Sequence, residues 1–143
     1  MPISDTQGTY INSPAIGYAG LVAEGQPSRD IASRQITTAS VGFGLAVGRG
    51  ATDGTARLGG AGFEGITIAD KTRTADLYAV GEFAGVMRKG EVWVTASTAV
   101  TPADPVTFTA ATGVIGAGLA ATIAGAKFET TATIGQLVRV YLG

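Results

Sequence analysis

The chain has 143 residues, enough for one domain with a real core, and carries 10 Lys and Arg against 11 Asp and Glu. A charge that is balanced and scattered along the chain argues against nucleic acid as a partner, because neutralising phosphates needs clustered Lys and Arg. Cysteine and histidine are both absent, which excludes disulfides and thiolate metal sites and removes the commonest general base. Only 15% of the residues are charged, below the usual 25–35% of a surface, which favours a protein packed against other subunits.

The N-terminus, MPISDTQGTY, has neither a basic nor an apolar stretch, so no secretory signal is expected. The longest low-charge run, residues 106–126, is interrupted by Thr and Gly and is too weakly hydrophobic to span a bilayer, which needs about 18 to 20 apolar residues. We therefore expect a soluble protein, made in the cytoplasm, with no membrane partner.

Residues 1–36 combine prolines and glycines with no sustained period of 2 or 3.6. This pattern predicts an extended arm followed by a short ordered stretch. The arm is too apolar for a disordered tail of the usual charged kind, so we expect it to lie on its own domain or on a neighbour; the sequence leaves both open. Arg29, Asp30 and Arg34 are interpreted as solvated charges, with the charged face of a helical turn as the alternative.

Apolar residues between positions 39 and 47 recur at period 2, which predicts a strand, and glycines occupy its opposite face. Asp53-Gly54 is a strong tight-turn dipeptide, and the apolar pattern resumes after it, so a hairpin is expected. Two explanations compete for the glycine face: a closely packed neighbour, which we favour, or a backbone surface for a partner. The spacing of these glycines does not match a nucleotide-binding loop, because Val47 stands where a third glycine is needed.

Residues 63–69 read as the next strand, and residues 70–76 as a solvated loop rather than a calcium loop. Residues 78–108 read as strand, basic turn at Arg88-Lys89-Gly90, strand, Pro-containing break and strand, with the first two strands forming a hairpin. Residues 127–133 and 135–142 predict a final hairpin. The fold class expected is therefore all-β: a single-domain β-sandwich or barrel (jelly-roll-like) at residues 37–143, preceded by residues 1–36.

Catalytic equipment is sparse, since Ser-His-Asp, Cys-His and zinc arrangements cannot be built. The carboxylates available for a glycosidase-type pair lie in or beside charged turns: Glu64, Asp70, Asp76, Glu82 and Glu91. We expect no enzyme activity, no cofactor and no metal. Trp93, the single tryptophan, is either part of a second core layer or an interface anchor, and the sequence does not decide between them.

The segments YAVG, RKG, EVWVT and AVTPADPVTF, together with the closing QLVRVYL, resemble the structural cement, or capsid decoration, proteins of tailed bacteriophages. The likeness covers the second half of the chain well and the first half in general plan only. It consists of strand and turn signatures, not of catalytic motifs.

The resemblance implies a protein on the outer surface of a phage head that bridges neighbouring major capsid subunits and so stabilises the shell. It would be made in the host cytoplasm and would associate with itself, with a dimer favoured and a trimer possible. The residues expected at the capsid or protomer interface are Pro2, Ile3, Tyr10, Ile11, Pro14, Ile16, Tyr18, Arg88, Lys89 and Trp93. The alternative is a carbohydrate- or ligand-binding β-sandwich module of a virion or fibre.

Overall fold

A computed structural model describes residues 18–23, 29–72 and 75–142. Within these ranges the regular structure consists of β-strands, and no helix is present, so the predicted all-β class is confirmed. In chain order the strands are β1 (Asp30–Ile36), β2 (Val41–Gly42), β3 (Ala46–Arg49), β4 (Thr55–Arg57), β5 (Ala61–Thr67), β6 (Leu77–Tyr78), β7 (Phe83–Lys89), β8 (Glu91–Thr95), β9 (Pro105–Phe108), β10 (Ile115–Gly116), β11 (Ala121–Phe128) and β12 (Leu137–Tyr141).

The first half of the chain forms a closed barrel in the order β1-β4-β3-β5-β7. β1 pairs with β7 from Asp30 to Gln35, but it meets β4 only through Gln35 and Ile36, in parallel register with Thr55 and Ala56. One buried cluster draws on four of these strands and on the small β2–β6 pair: Ile36, Val41, Phe43, Val47, Ala56, Tyr78, Ala84 and Val86. Burial of these side chains holds the barrel together, because β1–β4 pairing is too short to close it alone.

The second half forms a five-stranded sheet in the order β10-β9-β11-β12-β8. β11 and β12 pair antiparallel, with Lys127 opposite Tyr141, so the predicted final hairpin is confirmed. A bridge between Ala96 and Ile115 brings the end of β8 to β10 and thus joins the two edges of this sheet. Its buried residues form one cluster with Ala46, Ile66 and Met87 of the barrel, so the two sheets share a core.

The predicted hairpin around Arg88-Lys89-Gly90 is wrong. β7 pairs with β1 and β5 inside the barrel, whereas β8 pairs with β12 in the other sheet. Gly90 alone separates them and turns the chain with a φ of +116°, a conformation that a residue with a Cβ rarely adopts. A hairpin normally needs at least two turn residues, so a single glycine between two strands indicates a corner between sheets instead.

The hairpin at Asp53-Gly54 is confirmed, since β3 and β4 pair antiparallel with Gly48 opposite Arg57. The strand begins at Ala46, later than the alternation suggested, because the chain turns after β2. An ideal Cβ on Gly48 would lie 2.5 Å from the backbone carbon and oxygen of Gly60. At this position the glycine face therefore meets a closely packed neighbour.

Residues 30–36 form a barrel strand, so the helical-turn alternative for Arg29, Asp30 and Arg34 is wrong. The domain boundary at residue 36 and the jelly-roll-like connectivity stay predictions.

Candidate functional site

Residues 18–23 anchor the N-terminal segment to both sheets. The amide of Gly20 donates to the Trp93 carbonyl at 2.7 Å, and the Trp93 amide donates to the Leu21 carbonyl at 2.9 Å, which extends the second sheet beyond β8. Gly20 also accepts a hydrogen bond from the Ala69 amide of the barrel half at 2.8 Å. Residues 18–23 therefore lie at the junction of the two halves of the fold. The arm positions predicted at the interface (Pro2, Ile3, Tyr10, Ile11, Pro14 and Ile16) lie outside the described residues.

Tyr18 is described, and its side chain is 40% exposed. The Lys71 ammonium lies 4.3 Å from the centroid of its ring, a favourable cation–π distance. Together with Gly42, Phe43 and Asp76, these residues line a shallow depression of about 280 Å³. Tyr18 is thus held in place where the arm begins.

Trp93 is half-buried on β8. The Arg139 guanidinium of β12 lies 5.9 Å from the centre of its ring and forms an ion pair with Glu91 at 2.7 Å. The face shared by Trp93 and Arg139 is therefore partly covered by their own contacts. Because Trp93 is half-buried, its burial does not decide whether it belongs to a core layer or anchors an interface.

Arg88 and Lys89 lie at the end of β7 and not at a hairpin tip. The Arg88 guanidinium donates to the Asp30 carboxylate at 2.7 and 3.0 Å, so its charge is already partnered within the chain. Lys89 is exposed and stands opposite Asp30 in the strand register. Their contact with a partner stays a prediction.

A buried carboxylate lies at the weakly closed side of the barrel. Glu64 accepts from Arg34 at 2.6 Å and from Arg49 at 3.3 Å, and its side chain is only 5% exposed. β1 and β5, which carry Arg34 and Glu64, are not neighbours in the barrel, so their ion pair ties together strands that share no ladder. The adjoining depression, of about 320 Å³, is formed mainly by the turn at residues 50–55. The cluster is interpreted as structural.

We expect Glu64→Gln to lower the free energy of unfolding by about 2 kcal/mol, because Arg34 and Arg49 keep their charges without a counter-ion. Urea denaturation monitored by Trp93 fluorescence measures this loss. Asp30→Asn is the matched control, since it breaks the exposed pair with Arg88 and should cost less than about 1 kcal/mol. Equal losses in the two variants would contradict the role given to burial.

Sequence reasoning missed three exposed apolar side chains on and beside the β6–β7 connection. Leu77, Val80 and Phe83 are 38%, 56% and 61% exposed, and we call these three side chains the apolar turn. Two hydrogen bonds hold the connection: the Glu82 carboxylate accepts from the Ala79 amide at 2.6 Å, and the Gln35 amide group donates to the Gly81 carbonyl at 3.2 Å. The glycine at position 81 was the signal in the sequence that Val80 lies in a turn and not in a strand. In the structure Gly81 has a φ of +92°.

Among the residues that the structure describes, no three acidic side chains come close enough to hold a metal ion. The same ranges contain no helix of the length and hydrophobicity that a membrane span requires.

Comparison with solved structures places the same architecture in phage particles. The chain resembles a chain in the capsid of Myoviridae phage XM1, with a TM-score of 0.68, 19% identity and coverage of 94% of this chain and 97% of that one. It also resembles the base of the head fibre gp8.5 of bacteriophage phi29, with a TM-score of 0.56, 12% identity and coverage of 81% and 95%. No curated protein matches the sequence. A family model described as structural cement protein (E217 gp24/Pam3 gp6) matches residues 6–143, nearly the whole chain, and the protein therefore belongs to this family of structural phage proteins.

Proposed function

We propose that the protein binds the outer surface of a phage head, bridges neighbouring major capsid subunits and so stabilises the shell. The family match over residues 6–143 is the observation that carries this proposal. The described surface also carries exposed apolar side chains that such contacts could bury, among them Val80, Phe83 and Ile134. No enzyme activity is part of the proposal.

The mechanism is passive. Apolar side chains and strand edges would be buried against capsid subunits, and many identical weak contacts around one shell would add up to strong retention. The arm supplies the main contacts, through Pro2, Ile3, Tyr10, Ile11, Pro14, Ile16 and Tyr18, on capsid subunits or a sister protomer. Trp93, Arg88 and Lys89 supply secondary ones. Because Asp30 already neutralises Arg88, we expect its contribution to be small.

The protein would be made in the host cytoplasm and would reach the head as a homodimer. A two-fold pair would present two arms, which suits a protein that links two capsid subunits across a local two-fold axis. The low charge of the chain favours such association.

The test uses full-length protein and phage heads that lack it. We expect the protein to co-sediment with the heads and to raise the temperature at which they release DNA by several degrees, because a ligand that binds only the intact shell stabilises it. A glycan array serves as the counter-test. Binding to glycans with no binding to heads would reject the cement function and favour the ligand-binding alternative.

A further inference from the structure

The apolar turn exposes three large side chains in one short stretch of a small protein. Scattered single apolar side chains are normal on a surface, whereas three that are close together in one connection indicate that something covers them. Ile134 provides the contrast: it is 72% exposed, yet it stands alone on the other half of the molecule. The question is therefore what covers the apolar turn.

The described chain begins at Tyr18, which lies near the apolar turn. Tyr18 lines the same depression as Gly42 and Asp76. Gly42 is the strand partner of Leu77, and Asp76 directly precedes Leu77 in the sequence. The depression at Tyr18 therefore borders Leu77, the first residue of the apolar turn, and Tyr18 is where the described chain begins.

The composition of residues 1–17 suits binding to an apolar surface such as the apolar turn. Residues 1–17 contain one charged side chain, Asp5, and several large apolar ones, among them Tyr10, Ile11 and Ile16. Residues 10–17 can span about 27 Å when extended, which is ample to reach from Tyr18 across a single turn. A segment tethered this close also has an effective concentration in the millimolar range, which a second copy in dilute solution cannot match.

We propose that, in the free protein, residues 10–16 of the arm dock in the same chain on the apolar turn formed by Leu77, Val80 and Phe83. This contact belongs to the protein before it meets a head, whereas the capsid contacts proposed above are made on the head. It shields an exposed apolar surface from non-specific aggregation. Binding to a head would then exchange one set of arm contacts for another.

The absence of native cysteine allows a clean accessibility test. Val80→Cys is introduced in the full-length protein and in a version that lacks residues 1–17, and the reaction of the thiol with a maleimide is timed without heads. We expect the full-length protein to react at least about fivefold more slowly, since protection equals one plus the docking equilibrium constant. Ile134→Cys is the matched control and should react equally fast in both versions.

Two further variants locate the contact on the arm. Replacing Tyr10, Ile11 and Ile16 by Ser in the full-length Val80→Cys protein should restore the fast rate, whereas Asp5→Asn should not. Protection that rises with protein concentration would mean that a second copy supplies the arm, and it would overturn the proposal. Equal rates with and without residues 1–17 would overturn it too. Neither result depends on heads, so failure here leaves the cement function to its own test.

Discussion

Protein that lacks residues 1–17 is expected to stay folded but to bind undecorated heads at least about 100-fold more weakly than the full-length chain. The arm carries the large apolar side chains Tyr10, Ile11 and Ile16, and each buried anchor of this kind contributes about 1–2 kcal/mol to an interface. Co-sedimentation over a range of protein concentrations measures the loss. The cut is placed before Tyr18 because Gly20 and Leu21 hydrogen-bond to β8, and removing them would also damage the sheet.

Circular dichroism and a thermal melt provide the folding control, and the melting temperature should change by no more than a few degrees. The full-length variant with Ser at positions 10, 11 and 16 separates apolar contact from arm length. It should lose most of the same affinity while keeping every backbone group of the arm. Undiminished binding by the truncated protein would show that the arm is not the clamp and would direct attention to the apolar turn.

Local signals predicted the fold well where partners are close in sequence. Asp53-Gly54 correctly marked the β3–β4 hairpin, and the alternation at residues 137–142 correctly separated buried Val138 and Val140 from their half-buried neighbours. At Gly48 the favoured explanation of the glycine face, a closely packed neighbour, is confirmed. In each case the structure depends on turn chemistry or side-chain period within about ten residues.

Long-range pairing was beyond the same reasoning. β7 adjoins β1, which lies about fifty residues earlier, and nothing in the local pattern shows that β7 prefers this neighbour to β8. Glu64 looked like one more turn carboxylate, because Arg34 and Arg49 reach it from strands 30 and 15 residues away. The apolar turn was missed for a related reason: the residues from Tyr78 to the basic turn were read as one strand, whereas Val80 lies between β6 and β7. Nothing in the local pattern shows that Val80 and Phe83 are exposed.

Gly48→Ala is expected to lower the free energy of unfolding by about 3 kcal/mol, the upper end of what overpacking costs. The new Cβ would lie 2.5 Å from backbone atoms of Gly60 and 2.6 Å from the Gly62 carbonyl oxygen. These backbone atoms cannot rotate out of the way as the end of a flexible side chain can. The clash would therefore force β3 and β5 apart. The close approach is reciprocal, because a Cβ on Gly60 would meet the backbone of Gly48 and Arg49.

Gly118→Ala is the matched control for this substitution. Gly118 has a φ of +74° with no atom within 4 Å of an added Cβ, so alanine there costs only the backbone strain of the left-handed region, about 1–2 kcal/mol. Denaturant titration measures the free energy of unfolding of both variants. Gly48→Ala reports the cost of a steric clash, and Gly118→Ala reports the cost of backbone strain alone. If Gly48→Ala were the milder of the two, the barrel would tolerate separation of β3 from β5. The closed barrel would then depend on its buried apolar cluster and on the Glu64 ion pairs more than on this glycine contact, and Glu64→Gln would become the more damaging change.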